Sequence, residues 1–179
     1  MNLNEILDEI HEDINASFFY SMFGQYRSAH MHLRSVIELS LQMIYFYQHE
    51  VEHNQWKSGD FRIKHEELTT YLKRHPALSN EKVINLIDTL TKNWKDFSKH
   101  IHAESPLFFQ TTKTSSKTRS FNKADAGIWR SNFLATGYRS NKLLLIFFKN
   151  QLSVFPSQNK QMLLRNMHSE DLIMLDIMP

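Results

Sequence analysis

The chain has 179 residues and no cysteine, which excludes disulfides, iron–sulfur clusters and thiolate zinc sites. Four Gly and four Pro are too few for a sandwich or barrel with a turn roughly every ten residues, while 50 residues of Leu, Ile, Val and Phe exclude a wholly disordered chain. The formal charge of +2 is uneven: residues 1–56 carry −6 and residues 91–150 carry +8, a pattern that suits an anion-binding surface or solvated helix faces.

The first thirteen residues hold five acids and no Lys or Arg, the opposite of a secretory leader, so a cytoplasmic protein is expected. Ile6, Leu7, Ile10 and Ile14 share one helical face and predict a helix over about 4–14. Phe19, Phe23, Tyr26, His30, Leu33, Ile37, Leu41 and Ile44 continue that period and predict one long helix over about 16–53, with a bend at Gly24. Residues 54–60, with Gly59, read as a loop, and a short helix over 64–74 stops before Pro76. Ser79 or Asn80 suits the cap of the next helix, which carries Val83, Ile84, Ile87, Leu90, Trp94, Phe97 and Ile101 on one face and should end near Ala103. Residues 105–123 read as a flexible basic loop. A helix over 124–155 follows, and its apolar run Leu143–Phe148 is too short to cross a bilayer but suits a central position or packing in an oligomer. Residues 156–179 read as a tail in which one more helix is expected. The pattern predicts a single all-α domain, an up-and-down bundle of four to six helices.

Three constellations could carry chemistry. His49-Glu50-Val51-Glu52-His53 fits H-E-x-x-H, which on a continuous helix puts two imidazoles on one face for zinc. It sits at a helix end with no convincing third ligand, so no metal and no cofactor are expected. Lys95, Ser98, Lys99 and His102 fall at i, i+3, i+4 and i+7, a polar stripe closing the Trp94 helix. An imidazole exchanges protons near neutral pH and ammonium groups stabilise charge on a phosphoryl centre, so this stripe suits phosphodiester chemistry. A solvated helix end would have the same pattern. The third is Arg27 to Glu38, with His30, His32 and Arg34 between them and an i, i+4 pairing of Arg34 with Glu38.

The last two segments together resemble the HEPN superfamily of small helical nucleotide-binding and ribonuclease domains. The resemblance rests on Ala29-x3-Leu33-Arg34-x3-Glu38 and on Trp94-x2-Phe97-Ser98-Lys99-x-Ile101-His102-Ala103, and covers residues 16–104. It implies a helical bundle that dimerises. In its active members an R-x4–6-H motif faces a cleft between copies and assists a ribose 2′-OH in attacking its own phosphate without metal. On that pattern His102 is the motif histidine, and Lys95 stands where the motif has arginine. Lysine keeps the charge but lacks the two-pronged grip on phosphate. Arg27-x4-His32 fits the motif literally, but on the earlier helix.

Two functions follow from the resemblance. One is a metal-independent endoribonuclease acting as a toxin or anti-phage defence effector, with His102 as acid–base and Lys95 and Lys99 as electrostatic stabilisers. Lys113, Lys117, Arg119 and Lys123 would then hold the RNA backbone. The other is an inactive module that dimerises and binds RNA, a nucleotide or a partner protein in a defence complex. Neither involves a membrane.

Overall fold

The computed structural model describes residues 3–102, 121–165 and 167–174. Among these there are eight α-helices and no strand. They are α1 (Asn4–Met22), α2 (Tyr26–Gln48), α3 (Glu50–Ser58), α4 (His65–Arg74), α5 (Glu81–His102), α6 (Lys123–Phe147), α7 (Ser157–Leu164) and α8 (Ser169–Met174). The all-α class is therefore right, and the helices are more numerous and shorter than the four to six expected.

The largest departure lies at Gly24. The apolar period runs on unbroken from Phe19 past Gly24 to Tyr26, which is why a single helix is predicted there. Gly24 instead adopts φ 65, the left-handed conformation that ends helices. The Gly24 N–H donates to the Ser21 carbonyl at 3.0 Å and the Gln25 N–H to the Tyr20 carbonyl at 2.9 Å. These two bonds form a Schellman cap, so the chain reverses and α1 and α2 pack as an antiparallel hairpin. A second correction falls at His49, whose φ of −126 and ψ of 71 interrupt the next stretch. Residues 50–58 then form α3, where a loop is expected over 54–60, and Gly59 (φ 84) ends it.

Helix α2 is the central element. Every residue from Leu39 to Phe46 is buried, because α1, α4, α5 and α6 all pack around it. In the apolar run Leu143–Phe148 of α6, Leu143, Leu145 and Ile146 are buried, while Leu144, Phe147 and Phe148 are half-buried. Cross-links fix the directions. Ser17 on α1 donates to the Ala29 carbonyl of α2 at 2.9 Å and accepts from the Trp129 indole of α6 at 3.1 Å. Arg34 and Glu38 of α2 meet Ser98 and Trp94 of α5, which makes α2 and α5 antiparallel. His30 meets Asn132, and Tyr47 meets Gln151 just past α6, so α6 runs parallel to α2.

The expected capping of α5 holds, and α6 is capped in the same way. The Asn80 side chain accepts from the Lys82 N–H at 2.9 Å at the start of α5. Asn122 does the same for Ala124 and Asp125 at the start of α6. Helix α6 ends at Phe147, short of the expected 155, and a 3-10 turn (Gln151–Val154) closes the segment before Pro156. Among the described residues no helix is long and apolar enough to cross a membrane.

Candidate functional site

The antiparallel register of α2 and α5 brings the two motif segments together. The Arg34 guanidinium donates from Nε to Ser98 Oγ at 2.9 Å and pairs with Glu38 at 2.9 Å. It also lies 4.4 Å from the centroid of the Trp94 ring. The Trp94 indole N–H donates to Glu38 at 3.2 Å, and Ser98 donates to the Trp94 carbonyl at 2.8 Å. Arg34, Glu38, Trp94 and Ser98 are thus one interlocked group. Ser98 is buried inside it and leaves the polar stripe on which the sequence puts it. His65, from α4, completes the group by stacking on Trp94 with centroids 3.9 Å apart and planes 5° from parallel. Neither of its ring nitrogens meets a protein partner. Burial, with help from the charges of Arg34 and Lys95, pulls its pKa down to about 4 against the opposing pull of Glu38.

A second cluster closes the end of α5. His30 is buried and donates from Nδ1 to the Tyr26 carbonyl at 2.7 Å, which leaves Nε2 to accept from the Asn132 amide at 3.0 Å. The His100 ring stacks on His30, centroids 4.9 Å apart and planes at 9°. Arg27 donates from Nε to the His100 carbonyl at 2.6 Å, in the last turn of α5, where cations are favoured by unpaired carbonyls. His102, two residues on, is exposed.

Lys95 is exposed, two turns from His102, or ~10 Å along the axis, and its charge acts on His65. Lys99 is half-buried and pairs with Asp96 at 2.7 Å. Lys123 is exposed at the start of α6. Lys113, Lys117 and Arg119, with most of the basic loop, lie outside the described residues. The literal match Arg27-x4-His32 is not a working pair. Five residues on a helix are about 140° apart, so Arg27 faces α5 while His32 faces α1, where it bonds Asp13 at 2.7 Å and stacks on Tyr20.

The H-E-x-x-H segment is similarly divided. His49 lies at the junction of α2 and α3, donates to the Tyr45 carbonyl at 2.8 Å and stacks on the Tyr45 ring at 4.0 Å. His53 is buried against Phe46 and Trp56, and burial lowers its pKa. No group of three or more His, Asp or Glu among the described residues is arranged to hold a metal ion.

Sequence reasoning missed Arg27 at the α5 terminus, the His30–His100 stack and the position of His65. Each depends on the register between helices far apart in the chain, which no local spacing encodes. No protein-family model, curated protein or solved structure matches the chain.

Proposed function

We propose that the chain is a HEPN-like, metal-independent endoribonuclease, acting as a toxin or anti-phage effector, with His102 as its acid–base group. The observation that carries this reading is an exposed imidazole on the last turn of α5, with the Arg27 guanidinium bound 2.6 Å from a carbonyl of the same turn. His102 takes the proton of a ribose 2′-OH, the 2′ oxygen attacks the adjacent phosphorus, and the bond from phosphorus to the 5′ oxygen breaks. The departing 5′ oxygen takes a proton from a second imidazole, that of another copy facing the same cleft. Arg27 contributes a fixed positive charge where the phosphoryl centre becomes more negative. This supplies from α2 the arginine that Lys95 replaces on α5. Lys123 and the basic segment before it hold the RNA backbone.

A second reading, a HEPN-like module that dimerises and binds RNA, a nucleotide or a partner protein without cutting, is favoured by one observation: the Lys99 ammonium is held by Asp96 at 2.7 Å, so its charge is already engaged within α5.

Incubating labelled RNA with the protein in EDTA separates the two. The nuclease reading expects cleavage, with His102→Ala slower by about 100-fold or more, and Arg27→Ala slowed as well. RNA that is bound but intact at high protein concentration supports the second reading. Cleavage undiminished in His102→Ala overturns the assignment of that residue.

A further inference from the structure

We propose that the aromatic face at the C-terminal end of α1 is a subsite for unstacked bases of a single-stranded nucleic acid. The proposal rests on the RNA reading above and adds the part of the ligand recognised. Phe18, Phe19, Met22 and Phe23 are 52%, 58%, 63% and 55% exposed, an unusual density of bare apolar surface on one helical turn and a half. No charged residue occurs between Asp13 and Arg27. The Phe19 and Phe23 rings lie side by side, with centroids 4.9 Å apart. Phe18 is held from behind by Trp129 of α6 at 6.2 Å.

The surroundings decide what such a face would meet. The Schellman turn at Gly24 reverses the chain directly after Phe23, so Arg27 follows within one turn of α2 and contacts the last turn of α5. That turn carries His102, and Lys123 opens α6 a turn and a half before Trp129. An uncharged apolar partner would satisfy the aromatic rings alone. A strand with planar bases on an anionic backbone satisfies both the rings and the Arg27 and Lys123 cations at the same end of the bundle. A duplex does not, because its bases are already stacked.

The test is fluorescence anisotropy with a short labelled 2′-O-methyl oligoribonucleotide, which binds but cannot be cut through its 2′ position. Three forms are compared: the single strand, its duplex, and a strand of equal charge with abasic sites. Wild type is expected to bind the base-bearing single strand about tenfold or more tighter than the other two. The double variant Phe19→Ser, Phe23→Ser should lose about tenfold or more on that strand and nothing on the abasic one, and Phe19→Trp, Phe23→Trp should retain the affinity. Equal affinity for base-bearing and abasic strands, no binding, or unchanged binding by the serine variant overturns the proposal. So does a shift from dimer to monomer in the serine variant with RNA affinity intact, which assigns the face to a second copy. The nuclease reading fails separately: wild type that binds as expected but leaves ordinary RNA intact sinks the cleavage and keeps the subsite. Wild type that cuts RNA while the serine variant binds and cuts equally well does the reverse.

Discussion

His65 shows how one residue links packing to pH. Its ring lies flat on Trp94 and stays neutral to about pH 4, whereas an unfolded chain protonates it near 6.5. Between those values the unfolded state binds more protons, so stability falls as pH drops from 6.5 towards 4 and the slope vanishes below that. His53 and His75, also lowered chiefly by burial, add to the same slope. His65→Phe keeps the stack and removes two nitrogens that have no protein partner. It should leave the melting temperature at pH 7.5 unchanged or higher and flatten its fall towards pH 5. Thermal melts at several pH values check this, and an unaltered slope would mean that His65 is not the group responsible. Arg34 is the counterpart on the other side of the stack, with a carboxylate, a hydroxyl and an indole as partners. Arg34→Ala should cost about 2 kcal/mol, since it leaves Glu38 and Ser98 short of a charged donor. For a chain of this size that lowers the melting temperature by about 4–8 °C.

At the scale of elements, the helices that can be read from the sequence are those whose two ends carry their own signals. Helix α5 has a cap at Asn80 and a single apolar stripe, and its observed limits agree with the expected ones. The boundary between α1 and α2 is hidden because aromatic residues keep the helical period on both sides of Gly24, and only the left-handed glycine separates them. Phe19 and Phe23 consequently read as core and are exposed. Gly24→Ala should cost about 1–2 kcal/mol, because a Cβ is disfavoured at positive φ. Urea denaturation would show it as a lower midpoint with an unchanged slope. A neutral effect would contradict the left-handed cap. Helix α3 is hidden for a different reason: its sequence is polar, and it is held by His53 and Trp56 packing on Phe46.

Over the whole molecule, α2 is enclosed by its neighbours, and the helix ends that carry Arg27, His102 and Lys123 gather at one end of the bundle. The all-α class was legible in composition and periodicity. The pairing of Arg34 and Glu38 was legible in their spacing, but their lock on Trp94 and Ser98 needed the register of two helices. The charge block was legible as a number, and its distribution was not: Lys99 is paired with Asp96, while Arg27, from the acidic part of the sequence, reaches the end of α5. The role proposed for His102, activation of a ribose hydroxyl, is tested with a labelled DNA strand containing a single ribonucleotide, incubated in EDTA with wild type and His102→Ala. One cut is expected, directly after the ribose, leaving a 2′,3′-cyclic phosphate, with the variant slower by about 100-fold or more and no cut in the all-deoxy strand. An intact strand at high protein concentration, cutting without the ribose, or equal cutting by the variant would contradict it.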